Sequence, residues 1–356
     1  MNNSISLIHK DNKELFFVLW NNYLNDNNHS FIHTFLAHSY FDTYCKSVNN
    51  DLSFVVIQNN KAVGICYLPI ETIDNYNSIS RGDGYIPMPL STNNKIEKFI
   101  FEHIESVVKE YKIKQIKFYQ DSNIEYNTAN LYNNLKKYQF VETNNLNLTV
   151  NLLLTEELLW RNLSKRYKSI INKYTKNTTD KLLIINKDNA QWKYQNEYYK
   201  LHKNVAKEYA RDISLFEYQY KLIEEGSATL FVIQDINDNY IHFSLYLHHN
   251  NYVLSASSVS DESKKQEPLS HYAVWNANLY FKKLGHKLIQ YGQPSSFHST
   301  TGIDDMSDDK GVAISHFKRN MGAMPTSQYR GIKFYDKKIL KKYLDKFYDS
   351  FEVDEK

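Results

Sequence analysis

Glycine and proline are scarce in this chain, with 10 Gly and 6 Pro among 356 residues. The shortage excludes collagen-like architecture and long flexible linkers, which need those residues in bulk. Cysteine is scarcer still. Cys45 and Cys66 are the only two, and neither stands in a metal-ligand spacing. A pair cannot staple a protein of this size, so a reducing, cytoplasmic setting is expected. No apolar run approaches the length that spans a bilayer; Phe16 to Trp20 is typical of those present. The start, Met1-Asn2-Asn3-Ser4, lacks a basic stretch followed by an apolar core, so no signal peptide is expected. Charge of one sign is lacking too. A formal net charge of +3 neither requires nor forbids a polyanionic partner.

Aromatic residues are abundant, with 29 Tyr and 19 Phe. Heavy use of Tyr, Asn, Lys and Ile follows from an AT-rich genome as readily as from function. A hydrophobic share of 42% with 23% charged residues is globular composition, and the length suits two cores better than one.

One pattern occurs twice. Leu52 to Gln58 is β-branched and aromatic, turns at Asn59-Asn60-Lys61 and continues as a second apolar run from Ala62 to Leu68, which is a hairpin signature. Ala228 to Gln234, the turn Asp235 to Asn239 and Tyr240 to Leu247 repeat it. Helical stretches precede both hairpins, Ser39 to Lys46 and Phe216 to Glu224. Each hairpin is followed by a helix and a strand. In the first half these are Asn94 to Tyr111, with Ile96, Phe99, Ile100, His103, Ile104, Val107 and Val108 on one stripe, and Lys112 to Tyr119. In the second they are Ser270 to Leu284 and His286 to Tyr291. Four elements matching in order indicate an internal duplication, and hairpins with interleaved helices imply mixed sheets covered by helices.

Between the copies, Thr155 to Lys176 reads as one amphipathic helix, with Trp160, Leu163, Tyr167, Ile170, Ile171 and Tyr174 on its core face. Lys165, Arg166, Lys168, Lys173 and Lys176 fall opposite. They are either a solvated basic face or a surface that meets the phosphates of a nucleotide, coenzyme or RNA.

The stretch Leu158 to Lys173, containing Leu163-Ser164-Lys165-Arg166, resembles the linker helix of FemAB-like proteins. Leu131 to Phe140 is similar to that family's helix and turn ending in Gly-Phe, with Tyr138-Gln139 in place of the glycine. Ile314-Ser315-His316-Phe317-Lys318-Arg319-Asn320-Met321-Gly322 is similar to its closing motif with a Phe-Lys pair. The resemblance runs from about Phe31 to Met324. It implies an α/β (α+β) fold of two tandem GNAT-like domains, each a mixed, largely antiparallel sheet flanked by helices. The expected boundaries are 1–154 for the first domain, 155–335 for the second with a linker helix at 155–176, and a basic helical tail at 336–356.

The activity implied is N-acyl transfer from an activated donor to the amine of an amino sugar, amino acid or cell-envelope precursor. Acyl-CoA is the expected donor and co-substrate. Two alternatives stand beside it: an aminoacyl-tRNA-dependent ligase of the peptidoglycan-bridge type, and a non-catalytic GNAT pair that binds a ligand or partner. No metal and no DNA are expected, while contact at a membrane surface stays open. Such chemistry needs an unprotonated amine, an activated ester or thioester, and a positioned group that stabilises the oxyanion.

By the resemblance, Phe317-Lys318 is the pair whose lysine meets the tetrahedral intermediate, and Arg211 lies near the acceptor groove. Read from the residues alone, Lys318 is a surface lysine beside a core Phe, and Arg211 is a helix-end arginine facing Asp212 or Glu208. His271, at the head of a helix, is either a base for the amine or a capping histidine. Tyr291, Lys165 and Arg166 complete the candidate substrate-binding residues. GNAT coenzyme sites carry a glycine-rich turn at a helix N-terminus, whereas Gln266 to His271 and Leu90 to Asn94 have no glycine.

The paired His248-His249 would point to opposite faces of a strand and do not suit a metal. His242, on an apolar strand, reads as packing. Asp304, Asp305, Asp308 and Asp309 lie in a polar stretch whose default is a solvated loop, and Arg81 to Tyr85 reads as a turn.

Overall fold

The computed structural model describes residues 4–27, 29–120, 133–292 and 309–349. The chain forms two compact units that interleave in sequence. The first takes Met1–Leu146 and Ser327–Lys356, and the second takes Asn147–Pro294 and Asp309–Thr326.

The first unit begins with β1 (Ile5–His9), α1 (Lys13–Asn27), α2 (Phe35–Cys45), β2 (Val48–Asp51), β3 (Phe54–Gln58), β4 (Lys61–Cys66), β5 (Pro69–Ile73), β6 (Tyr76–Ile79), β7 (Ile86–Pro87) and β8 (Leu90–Ser91). It continues through α3 (Asn94–Glu110), β9 (Ile113–Tyr119) and β10 (Val141–Glu142). The hairpin expected from the pattern is β3–β4, paired antiparallel from Phe54↔Cys66 to Gln58↔Lys61. It sits in a four-stranded sheet of order β1-β3-β4-β8. The expected helix is α3, capped by Asn93, whose side chain accepts from the Lys95 and Ile96 amides. Its buried stripe is Ile96, Ile100, Phe101, Ile104, Val107 and Val108. The turn at Arg81 to Tyr85 is held from below. Buried Glu71 accepts from the backbone of Gly82 (2.7 Å) and Asp83 (2.9 Å), both at positive φ.

The second unit comprises β11 (Asn145–Asn151), α4 (Glu156–Asn162), α5 (Lys165–Asn177), β12 (Lys181–Ile185), α6 (Trp192–Ala206), α7 (Ile213–Glu224), β13 (Ala228–Gln234), β14 (Tyr240–His249) and β15 (Tyr252–Ser260). It ends with α8 (Leu269–Lys283), β16 (Leu288–Gln290), α9 (Asp309–Asn320) and β17 (Met324–Gln328). Its sheet has the order β12-β13-β14-β15-β16-β11-β17. Helices cover both faces. Phe231 of β13 and Tyr246 of β14 meet Phe281 of α8 (5.9 and 5.4 Å between ring centroids), while Phe243 of β14 meets Tyr198 of α6 (5.1 Å). The single helix expected over 155–176 is instead two. Leu163 and Ser164 are extended (ψ 148° and 149°), and the Ser164 hydroxyl caps α5 by accepting from the Tyr167 amide. The break frees the Ser164 N–H to bond the Asn320 carbonyl at the end of α9 (3.0 Å). The apolar stripe survives it, with Trp160 against Trp275 and Tyr174 against Tyr272, so α4 and α5 both pack on α8.

The chain then returns to the first unit as β18 (Arg330–Phe334) and α10 (Lys337–Tyr348). β18 is an interior strand of a seven-stranded sheet, between β10 and β9. Arg330 is 1% exposed, with its guanidinium 4.5 Å from the Tyr85 ring and its Nε donating to the Thr143 carbonyl. Among the described residues no helix is long and apolar enough to cross a membrane.

Two predictions follow from this packing. Loss of the cap in Ser164→Ala should lower stability by about 1 kcal/mol, read as a lower midpoint in chemical denaturation. Burial also holds four histidines neutral: His33 and His38 well below the usual imidazole range, His242 at about 3 and His248 at about 4. Unfolding restores a value near 6.5, so below it the unfolded chain binds more protons and stability falls as pH falls. Denaturation midpoints should be level above about pH 7 and drop below about pH 6.5, by up to about 1.4 kcal/mol per pH unit for each histidine.

Candidate active site

Strand β15 loses one of its neighbours partway along. It pairs parallel with β16 only at Tyr252↔Leu288, Val253↔Ile289 and Leu254↔Gln290. Beyond Gln290 the chain keeps to β11, with the Tyr291 amide donating to the Leu148 carbonyl (2.7 Å) and the Leu148 amide to the Gly292 carbonyl (2.8 Å). β15 follows β14 out to Ser260 instead, and a bulge shifts their register between Leu245 and Tyr246. An extra residue in one strand bends it and strengthens its twist. The result is a parting in the sheet with backbone groups of β15 on one lip and Tyr291-Gly292 on the other.

Lys318 stands at this parting. It projects from α9, and its Nζ would lie 3.6 Å from a Cβ placed on Gly292, whose φ is +86°. The ammonium makes no hydrogen bond or ion pair among the described residues, and burial pulls its pKa below the ordinary lysine value. Phe317, beside it, packs edge-on against His271 (5.0 Å), and His271 packs edge-on against Tyr167 of α5 (4.4 Å). Burial, and then the positive charge of Arg166, lower the His271 pKa, so its ring is neutral at physiological pH.

A cavity of about 670 Å³ opens next to His271. Arg166, Lys173 and Tyr174 line it from α5, Asp235 and Ile236 from the turn after β13, and Lys264 to Pro268 from the loop before α8. Its carboxylates are engaged locally. Asp180 accepts from the Tyr174 hydroxyl (2.5 Å), Asp235 from the Asn237 and Asn239 amides, and Glu267 pairs with Lys264 (3.0 Å). Arg166, Lys173 and Lys265 have no ion-pair partner among the described residues. Pro268 precedes α8 without a side-chain cap, so the first-turn amides of that helix have no side-chain acceptor.

The structure thus brings together Lys318, Phe317, His271 and Arg166 from three separate stretches of sequence. It places the other candidates elsewhere. Tyr291 is 5% exposed, and its hydroxyl donates to Asn278 Oδ1 (2.7 Å), which commits it to the core. Lys165 is exposed and is not part of the cavity lining. Arg211 precedes α7 near His202, whose pKa it helps to lower, and so belongs to the layer on the opposite face of the sheet from α8. The five cations of the linker do not act as one surface: Arg166 and Lys173 face the cavity, while Lys168 donates to the Arg161 carbonyl (2.9 Å). Asp304, Asp305 and Asp308 lie outside the described residues. No group of three or more His, Cys, Asp or Glu suited to a metal occurs among the described residues.

Sequence reasoning missed Lys264 and Lys265, which become site residues only through the fold. It also passed over the hydroxyl run Ser255-Ala256-Ser257-Ser258-Val259-Ser260. That run was a usable signal, since a strand otherwise flanked by apolar ones has no packing need for four serines.

No family model matches the chain, and no curated protein does either. Solved structures do. The crystal structure of FemX is 14% identical, covers 86% of this chain and 93% of its own, and superposes with a TM-score of 0.65. L-PGS from Bacillus licheniformis is 11% identical over 80% of this chain and 85% of its own, with a TM-score of 0.55. The C-terminal domain of a putative lysylphosphatidylglycerol synthetase from Agrobacterium fabrum is 7% identical over the same shares, with a TM-score of 0.52. The fold is therefore that of the FemAB-like, GNAT-type proteins, as the sequence motifs implied.

The environment of Lys318 predicts its reactivity. Because burial favours the uncharged amine, Lys318 should be modified by an acylating reagent at lower pH than the bulk of surface lysines. Peptide mass spectrometry across a pH series reads this directly.

Proposed function

We propose that the protein is an N-acyltransferase that moves an acyl group from acyl-CoA to the amine of an amino sugar, amino acid or cell-envelope precursor. The observation that carries the reading is Lys318: a half-buried ammonium that has no counter-ion among the described residues, held where a sheet parts and near a cavity whose Arg166, Lys173 and Lys265 likewise have none. An oxyanion that develops there gains a partner the free protein lacks, so the interaction is stronger in the transition state than before it.

The residues divide the work as follows. The donor's phosphates lie in the cavity against Arg166, Lys173, Lys265 and the uncapped start of α8. The donor carbonyl reaches the parting, and the neutral amine attacks it. The carbonyl π electrons move to oxygen, where Lys318 Nζ donates a hydrogen bond, and collapse of the intermediate expels the thiolate. Phe317 and Tyr167 grip the neutral His271 ring at the cavity wall, available there to accept a hydrogen bond or a proton. Arg211 remains a candidate for holding a distant part of an extended acceptor.

A second reading has its own support. The same cations suit the 3′ end of an aminoacyl-tRNA, and the fold is shared with FemX over 86% of this chain. Thermal unfolding with acetyl-CoA, a long-chain acyl-CoA and aminoacyl-tRNA separates the two. Acyl-CoA at 100 times its Kd should stabilise the fold by about 2.7 kcal/mol. Stabilisation by aminoacyl-tRNA alone would transfer the site to the second reading, and no response to any donor would favour a binding module. Lys318→Ala should lower transfer by about 10²- to 10³-fold with little change in melting temperature.

A further inference from the structure

His242 is 0% exposed, yet both of its ring nitrogens are hydrogen-bonded. Nδ1 lies 2.7 Å from Ser260 Oγ, and Nε2 lies 2.7 Å from Ser244 Oγ. Ser244 Oγ in turn lies 3.0 Å from Ser258 Oγ, and Ser258 is exposed. Four side chains therefore form one unbroken hydrogen-bonded chain across β14 and β15, from the interior to the surface.

Cross-strand pairing fixes which face the chain occupies. Ser244 lies opposite Phe231 and His242 opposite Ile233, and Phe231 packs against Tyr280 and Phe281 of α8. His242, Ser244, Ser258 and Ser260 thus share the face on which α8 and its partner rings Tyr167 and Phe317 lie. Ser258 sits on the stretch of β15 that has left β16, past the bulge that turns this edge outward. Packing alone explains none of this. A buried imidazole and three hydroxyls in an otherwise apolar strand pair need such mutual satisfaction, but a hydroxyl chain is not required for the sheet.

We propose that Ser258 contacts the acceptor amine and that the chain behind it, with His242 as its central positioning residue, carries the amine proton away. The proposal rests on the acyl-transfer reading for its reaction, though not for its amine contact. In the starting arrangement Ser258 donates to Ser244, Ser244 to His242 Nε2, and His242 Nδ1–H to Ser260. The attacking amine becomes positively charged in the tetrahedral intermediate. Its N–H bond breaks as Ser258 Oγ takes the proton, and each member passes its own proton to the next. Nε2 gains a proton while Nδ1 loses one, and Ser260 releases its original proton to solvent. Every O–H or N–H bond that breaks is matched by one that forms. His242 ends as the other neutral tautomer and never becomes a cation. That matters because burial, with no charged neighbour contributing, holds its pKa at about 3. A group that weakly basic cannot store a proton, but a tautomer exchange does not ask it to.

This route is separate from His271, which lines the donor cavity. It gives each substrate its own edge of the parting, donor phosphates at α8 and acceptor amine at β15.

The test uses the full-length protein with ¹⁵N-labelled histidine. The imidazole nitrogens of His242 should report a neutral ring from about pH 5 to 8. Adding D-glucosamine or L-alaninamide should change its tautomer balance, and Ser258→Ala, at an exposed position, should abolish the response. In acetyl-CoA-dependent transfer, Ser258→Ala should lower kcat by about 10²-fold with the donor KM unchanged. Ser258→Thr, which keeps the hydroxyl, should restore it. The solvent isotope dependence should indicate several protons in flight for the wild type and for His271→Gln, and be lost in Ser258→Ala. Wild-type turnover in Ser258→Ala would overturn the proposal, as would a His242 ring that ignores both amines. A tautomer response without transfer from acetyl-CoA would keep the amine site and remove acyl-CoA as the donor.

Discussion

A strand satisfies its backbone on both sides only while it has two neighbours, and β15 has two for just three residue pairs. Most of what distinguishes the second unit depends on that short pairing. It leaves the outer part of β15 without β16 as a neighbour, and it brings Gly292 just past the end of β16, where the absence of a Cβ suits a φ of +86° and leaves room for Lys318 of α9. The position of α9 is set in turn by the break in the linker, since the Ser164 N–H that bonds the Asn320 carbonyl would be spent inside a continuous helix. Lys318 is therefore located by three backbone irregularities: a bulge, a glycine and a helix break.

Those irregularities also mark how far the sequence can be read. The duplication, the β3–β4 and β13–β14 hairpins and the stripes of α3 and α5 were legible, because each is a local periodicity that the core enforces along its whole length. The break at Leu163 and Ser164 was not. Leu163 keeps the apolar period through the interruption, and a capping serine inside a periodic run looks like any other polar position. The surroundings of Tyr291 and Arg211 were not legible either, since the Asn278 beside the one and the His202 beside the other come from distant helices that only the packing brings near. Phe317-Lys318 was singled out only through its resemblance to a family motif. His242 was read as packing because burial is what a histidine in an apolar strand usually signifies. Its two partners come from β14 itself and from β15, and only strand register brings the second near.

Burial without neutralisation recurs in the site. Lys318 has no counter-ion among the described residues, and His271 and His242 are kept neutral by desolvation, with Arg166 adding to the effect on His271. In a poorly polarisable setting, charge that appears during a reaction is felt strongly by whichever dipoles already point at it. In the proposed reaction the neutral rings add no competing positive charge that would pull an oxyanion away from Lys318. The cavity is different, with four cations and three carboxylates, each carboxylate occupied by a neighbour. The cavity and the surroundings of Lys318 thus differ in their electrostatics.

The return of the chain to its first unit bears on how the protein is made. β18 lies between β10 and β9, pairing Arg330 with Tyr119 and Ile332 with Lys117. A nascent chain that has emerged as far as the second unit still lacks this interior strand, so β9 and β10 have an open seam until the segment that follows the second unit is translated. The two halves of the duplication cannot mature one after the other like beads on a string. The unit that is begun first is completed only after the second has been made, and it must hold its open seam against wrong partners throughout the interval.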